Sequence, residues 1–551
     1  MRKIVAASIG NCVHVAGVVN FLRIAEDQGY NCIFLGPAVG VDELIDRVKK
    51  EKPEIVGVSY RLTPEALKPL LIHLKKRVDE EGIKKIKWVF GGTEPTAQVA
   101  EEAGFFSRVF DGTGGMDKTI SFLKGKASLE VKQNYADNLA DRIEAKYPYP
   151  VIRHHFGLPD LESTVRGIEE IALSEVLDII SLAPDQNAQQ FFFRQEKMNK
   201  ELDGAGGVPI RSEKDLSDMY SASRRGNYPL LRSYSGTADL EKMADMFIRT
   251  INNAWCAVPL CWYNVLDGRG DRKVETAIKE NQALMRWHAR RNVPVEVNEA
   301  HHWSLRDAHD VVGVVAAFLA AYNAKKAGVK NYIAQYMFNV PPAISPKMDL
   351  AKMVAKIELI ESLHDETFTS YRQARAGLAR FSTDLNLAKG QLASSTQLAM
   401  AIKPHIYHVV GYCEAHHAAT AQDVIESVKI ARGVIEGCLS GYPDITNDPQ
   451  VVSRKEWLIV QALYTLNFIR ETFDEHEDPW SSPEVIARCI KLGILDAPHL
   501  KGNPSACGKL QTRIVNGALE AYDRAAGRVI YEEERLERIL EDGKRVLHSS
   551  A

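Results

Sequence analysis

The first 125 residues change hydrophobic period again and again. Short apolar runs at 3–8, 31–35, 54–59, 86–90 and 108–110 alternate with helical patterns at 18–28, 41–51, 65–80, 96–102 and 116–124. Runs this apolar are strands buried on both faces, so the pattern predicts a parallel sheet with helices on each side. Residues 126–160 are polar and carry Pro148, Pro150 and Pro159, which predicts a linker.

A second strand–helix series runs to about residue 440. Its strands are expected at 177–182, 229–232, 257–263, 294–298, 331–336, 377–381 and 405–412, with a long helix at 308–327. A near-eightfold repeat of this size predicts a (β/α)8 TIM barrel over 161–440. Residues 441–551 read as helical, ending in a charged amphipathic stretch at 531–545. The expected organisation is therefore α/β: a flavodoxin-like (Rossmann-like) domain at 1–125, a linker at 126–160, the barrel, and a helical C-terminal region.

Composition narrows the function classes. The 551 residues hold 69 Lys plus Arg against 72 Asp plus Glu, a formal net charge of −3. That balance offers no footprint for nucleic acid or an acidic membrane. The longest apolar run, 311–322, is shorter than the roughly 20 residues a membrane helix needs. The start lacks a signal-peptide pattern, and the eight cysteines show no Cys-x-x-Cys spacing. A cytoplasmic protein without disulfides is expected, acting on a small molecule, and a homodimer.

Ligands of such sheets bind at the carboxyl ends of the strands. The first strand ends in Gly10-Asn11-Cys12-Val13-His14-Val15-Ala16-Gly17. Ser59 ends the third, Gly91-Gly92-Thr93 the fourth, and Gly112-Thr113-Gly114-Gly115 follows the fifth. Small residues at successive strand ends clear space for something flat or long. A flavodoxin-like module for another ligand, or for none, has the same outline.

The ordered set resembles the cobalamin-binding domain of B12-dependent mutases and methionine synthase, whose pattern is Asp-x-His-x-x-Gly, then Ser-x-Leu, then Gly-Gly. The resemblance implies that His14 is the lower ligand of cobalt, a role suited to neutral imidazole. It also implies that the cofactor's nucleotide tail enters past Gly17, Ser59, Gly91, Gly92, Thr93, Gly112 and Thr113. Two positions depart: Cys12 stands for the aspartate that would fix the histidine tautomer, and Arg61 stands for the leucine.

Barrel enzymes carry their chemistry at the carboxyl ends of strands. There the sequence offers Arg232-Ser233-Tyr234-Ser235-Gly236-Thr237, then Tyr263-Asn264, then Asn298-Glu299-Ala300-His301-His302-Trp303, and finally Glu414 with His416-His417. This series resembles the large subunit of glutamate mutase (methylaspartate mutase). The resemblance implies an adenosylcobalamin-dependent radical isomerase, a carbon-skeleton mutase. Arg232 would pair a substrate carboxylate, Tyr263 would hydrogen-bond the substrate, and Glu299 or Glu414 would bind an ammonium or hydroxyl group or contact the cofactor.

The other arginine motifs of that family are missing. One appears as Asp203-Gly204-Ala205-Gly206-Gly207-Val208-Pro209. Arg194, Arg224, Arg225 and Arg269 lie in no matching motif. The expected substrate is therefore a small carboxylic or amino acid other than glutamate, with one carboxylate and one neutral polar group. A corrinoid methyltransferase and a non-catalytic cobalamin sensor or carrier share the layout. The paired histidines, with Glu299 and Glu414, could alternatively hold zinc or iron. The plainer reading gives them hydrogen bonds to substrate or a place in surface loops. Trp255, Trp262 and Trp303 read as packing residues.

Overall fold

The computed structural model describes residues 2–112, 115–125, 135–377 and 380–549, the last helical turns as backbone alone. The chain divides into two compact units, residues 1–135 with 144–149, and residues 136–143 with 150–551.

In the first unit, β1 (Lys3–Ser8), β2 (Asn31–Phe34), β3 (Ile55–Tyr60), β4 (Lys87–Gly92) and β5 (Arg108–Phe110) form one parallel sheet in the order β2-β1-β3-β4-β5. This is the flavodoxin-like order, with its topological switch between β1 and β3. The expected strands and helices all form, each within a few residues. β3 is buried throughout, as its unbroken apolar run requires. Helix Val41–Glu51 lays Leu44, Ile45 and Val48 on the sheet and carries Asp42 and Glu43 in its first turn, Lys49 and Lys50 in its last. Those charges complement the helix dipole.

The second unit is an eight-stranded, all-parallel barrel. Its strands are β6 (Val151–Phe156), β7 (Ile179–Leu182), β8 (Leu230–Arg232), β9 (Cys256–Val258), β10 (Val295–Val297), β11 (Asn331–Met337), β12 (Thr369–Arg375) and β13 (Ile406–His408). They run in the order β8-β7-β6-β13-β12-β11-β10-β9. The seam between β8 and β9 is spanned by one isolated parallel bridge, Tyr234 to Ala257.

Two expectations are corrected. The first barrel strand, β6, lies inside the stretch read as a linker, where prolines masked an apolar run; residues 126–134 of that stretch lie outside the described residues. The seventh strand is Thr369–Arg375 rather than 377–381. Its sequence, TSYRQAR, is too polar to read as buried, because its inward side chains include a glutamine, which accepts from Arg153, and an arginine.

The C-terminal region is also not purely helical. Helices Pro449–Thr472, Pro483–Leu492 and Glu532–Ser549 enclose an antiparallel sheet of β14 (Thr512–Val515), β15 (Ala518–Asp523) and β16 (Arg528–Val529). Helix Pro449–Thr472 packs against barrel helices Asp310–Lys326 and Pro346–Glu361. That cover explains the longest apolar run: 14 of the 17 residues of Asp310–Lys326 are buried, as a helix apolar on all sides demands. Arg454 fastens the layer, with Nη2 3.2 Å from Asp310 and Nη1 2.6 Å from Glu520. Among the described residues no helix is long and apolar enough to cross a membrane, and none of the eight cysteines is in a disulfide.

Candidate functional site

Helix Ala16–Asp27 and the carboxyl ends of β3, β4 and β5 border a cleft of about 750 Å³. Gly17, Ser59, Gly91, Gly92, Thr93 and Gly112 line it, together with Arg61 at the position of the family's leucine. Thr113 lies outside the described residues. The glycines differ in purpose. A Cβ on Gly92 would meet Thr96 Oγ1 at 2.3 Å and the Tyr60 carbonyl oxygen at 2.8 Å, so packing alone requires glycine there. A Cβ on Gly91 or Gly17 would meet nothing within 4 Å. No protein contact demands glycine at these two places; its effect there is to keep the cleft open.

His14 sits on the loop after β1, and its side chain is exposed. Its Nδ1 lies 3.9 Å from Cys12 Sγ. The buried Cys12 in turn accepts the Arg61 backbone N–H at 3.3 Å. Cys12 thus stands where the family's aspartate would be, as a weak partner for one ring nitrogen, and His14 keeps Nε2 for another ligand. An open cleft, glycines without a packing role and an exposed imidazole at a strand's carboxyl end fit cobalamin.

The barrel interior holds a dense set of polar groups. Parallel neighbours in register point the same way, and so do residues i and i+2. Arg375 on β12 is in register with His408 on β13, and His408 with Arg153 on β6. His155, two residues beyond Arg153, is in register with Ser181, which is in register with Arg232 on β8. One carboxylate gathers this group. Glu296 Oε2 on β10 accepts from Arg232 Nη2 at 2.9 Å, Arg153 Nη1 at 3.4 Å and Trp255 Nε1 at 2.7 Å. Arg153 also donates to Gln373 Oε1 at 2.6 Å. His155 meets the Tyr234 hydroxyl at 2.8 Å.

The charges do not balance. Burial pulls the Glu296 carboxyl upward, but Arg232 and Arg153 outweigh it and hold the group below the usual range. Burial, then the Arg232 cation, pushes Arg153 down; burial does the same to Arg375. His155 and His408 are kept neutral by burial and then by Arg153. Three guanidiniums therefore face two carboxylates, Glu296 and, toward Arg375, the exposed Glu414. Arg232 Nε and Nη1, Arg153 Nε, Arg375 Nε and Gln373 Nε2 are buried without a hydrogen-bond partner. Buried donors in this state are costly unless something accepts from them.

The expected catalytic residues fare unequally. Arg232 is fully buried and stacks its guanidinium over Tyr234 and Trp255. Tyr263 is buried, with a positive φ of 66° and Arg269 above its ring. Such a backbone is strained for a bulky residue and is held here by the Asp267 carboxylate, which accepts the Tyr263 and Asn264 N–H groups.

Glu299 requires a correction. Its Oε2 accepts the backbone N–H groups of Leu260 and Cys261, both at 3.0 Å, and its Oε1 accepts Trp303 Nε1 at 2.8 Å. It pins the loop after β9 to β10 rather than standing free for a substrate ammonium. Glu414 is exposed on the loop after β13, and its charge reaches Arg375. His301 and His302 lie on a short helix, Ala300–Ser304, not at a strand end, and both are buried. Burial lowers His301 to about 3. His416 and His417 are exposed. The tryptophans pack as expected, with Trp255 and Trp303 also donating hydrogen bonds.

Arg153, His155, Glu296, Gln373, Arg375 and His408 escaped the sequence reading. Each sits within a strand rather than after it, and four of them lie on β6 and β12, the two strands that the sequence reading does not place.

Residues 2–116 match the family model of the B12 binding domain. The first unit is a B12-binding domain of Rossmann-like fold. Among solved structures, a novel cobalamin-binding protein from Desulfitobacterium hafniense DCB-2 is 29 % identical, over 20 % of this chain and 52 % of that one, with a TM-score of 0.18. The cobalamin-dependent S-adenosylmethionine radical enzyme OxsB, in its apo form, is 9 % identical over 79 % of this chain and 56 % of that one, with a TM-score of 0.19. The chain spans about half the length of each of these proteins. No curated protein matches it.

Proposed function

We propose that this B12-binding chain is an adenosylcobalamin-dependent radical enzyme, a carbon-skeleton mutase acting on a small carboxylic or amino acid inside the barrel. The observation that carries the substrate class is the excess of buried guanidinium groups, with unpartnered N–H donors, around Glu296. A carboxylate of the substrate would take up those donors, and planar guanidinium suits a fork onto it. Arg232 contributes two of these buried, unpartnered donors, Nε and Nη1.

When bound, adenosylcobalamin supplies a cobalt–carbon bond that breaks homolytically. The chain's own residues do the rest. His14 would ligate cobalt through Nε2. Arg232, Arg153 and Arg375 would bind and orient the acid. His155 and Tyr234, joined by a hydrogen bond, are neutral donors for an uncharged oxygen. The walls of the barrel keep water from the reacting centre.

The case for a single carboxylate rested on Arg232 being the one placed arginine. With Arg153 and Arg375 in the same interior, cation count no longer argues against a second carboxylate, and glutamate returns as a candidate.

The test reconstitutes the full chain with adenosylcobalamin and adds small mono- and dicarboxylic acids, glutamate included. A substrate-dependent organic radical in the EPR spectrum, lost in Arg232→Lys, supports the reading. Methyl transfer from methylcobalamin without any radical would make the protein a corrinoid methyltransferase. Cobalamin binding without turnover of any acid would make it a sensor or carrier.

A further inference from the structure

A second cluster lies outside the arginine centre, on the loop that follows β13 at the carboxyl-end rim of the barrel. Cys413 Sγ, a ring nitrogen of His417 and a carboxylate oxygen of Asp423 all lie within 4.8 Å of one another. Cys413 is buried, Asp423 half-buried and His417 exposed. We propose that these three residues bind a zinc ion, leaving a fourth position for water or another oxygen or sulfur ligand.

The donor set is one thiolate, one imidazole and one carboxylate. That mixture of sulfur, nitrogen and oxygen suits zinc, and zinc sites with three protein ligands keep one position open. Bond lengths of about 2.0–2.3 Å imply ligand atoms roughly 3.4–3.6 Å apart in a tetrahedron. His417 Nε2 and Asp423 Oδ2 are already at 3.2 Å. The remaining closure is about 1 Å, within reach of an exposed histidine side chain.

The surroundings hold each ligand as a metal site requires. The backbone N–H groups of His416 and His417 both donate to the Cys413 carbonyl, at 2.7 and 2.9 Å, folding the loop back on itself. Asp423 is fixed from two sides. Its Oδ1 accepts from the Tyr412 hydroxyl at 2.9 Å, and its Oδ2 accepts from Thr420 Oγ1 at 2.6 Å and Thr420 N–H at 3.0 Å. His417 Nδ1 lies 2.9 Å from His416 Nδ1. Without metal, His416 can donate to His417, which then donates from Nε2 to Asp423. With metal, the tautomers exchange: His417 donates from Nδ1 to His416, and its Nε2 lone pair is free to bind. His416 is thus a positioning residue that serves either state.

The test uses the full chain purified without cobalamin, so that cobalt does not interfere. After dialysis, the wild-type protein should retain about one zinc per chain, and X-ray absorption at the zinc edge should show one sulfur among the ligands. Cys413→Ser and Asp423→Asn should release the metal, and His416→Ala should weaken zinc binding by about 10–100-fold. His14→Ala should retain it, which separates this site from the cobalamin reading. Failure of the wild type to hold zinc, zinc without a sulfur neighbour, or full occupancy in folded Cys413→Ser would overturn the proposal. The wild-type absorption measurement decides the matter even where a variant fails to fold.

Discussion

Arg153 and Arg232 share one oxygen atom, Oε2 of Glu296, at 3.4 and 2.9 Å. The two cations come from strands that β7 separates, and that carboxylate, on a third strand across the barrel, joins them above the Trp255 ring that both cover. Glu296→Gln should therefore leave the guanidiniums uncompensated and cost about 3–5 kcal/mol. Thermal unfolding should show a marked drop in Tm, partly restored by millimolar small dicarboxylate, since an anion bound to the folded state stabilises it by mass action. An unchanged Tm would show that the three charges are not coupled.

Arg232→Lys keeps the charge but loses the planar fork. Turnover of the acid substrate should fall strongly while cobalamin affinity, measured by absorbance titration, stays as it was. Equal loss of both would make Arg232 a folding residue instead.

His14→Ala should weaken cobalamin binding and remove the nitrogen superhyperfine splitting from the Co(II) EPR signal of reconstituted protein. Because His14 is exposed, the variant should melt at the wild-type temperature. Splitting that persists in the variant would assign the lower ligand elsewhere.

The two adjacent glycines should respond oppositely. Gly91→Leu enters open space, so it should leave Tm nearly unchanged yet reduce cobalamin affinity by filling the cleft. Gly92→Ala presses on the Tyr60 carbonyl oxygen and should destabilise the fold by about 1–3 kcal/mol. Matching effects in a paired melting and binding assay would mean that the cleft is not where cobalamin enters.

Acid sensitivity should begin well above the carboxylate range. Burial lowers His154, His288 and His405 to about 4 and His301 to about 3. In the unfolded chain these groups titrate near 6.5. Their folded values are depressed, so the unfolded state binds more protons between about pH 6.5 and 4. The stability they contribute is complete above pH 6.5 and declines as pH falls to about 4. His288, whose two ring nitrogens are buried without partners, offers the cleanest check: His288→Phe should flatten the slope of Tm against pH in that window. A flat wild-type profile from pH 7 to 5 would contradict the assignment.

How much of this was legible depended on where polarity falls along a strand. The first unit could be read almost whole, because β1, β3 and β4 are apolar runs and their loops carry the small residues and His14. The barrel's outline was legible too, through strands such as Ile179–Leu182. Its arginine centre was not. Arg153, Gln373 and Arg375 face inward, so the strands that carry them, β6 and β12, look half polar and lose the pattern that marks a buried strand, while β13 falls within the expected 405–412 without revealing that His408 faces the interior. Glu299 misled for the converse reason: a carboxylate just past a strand end looks free, and nothing in sequence reveals that two backbone amides and an indole have claimed it. The Cys413–His417–Asp423 cluster was half visible as a histidine pair, but its third member is a helix-capping aspartate whose ordinary role hides it.

The barrel closes on a thin join. Strands β11 and β12 run in register over seven residues, whereas β8 and β9 meet through the Tyr234–Ala257 bridge, the Ala254 N–H on the Leu231 carbonyl and the Asn253 side chain on Ser233 N–H. Arg232 is the last residue of β8, at the edge of this join. Arg232, with two buried donors left unpartnered, thus stands beside this thin join. Opening at that join would widen the interior from the side without breaking any long ladder, so the barrel could change its bore while keeping its strand order.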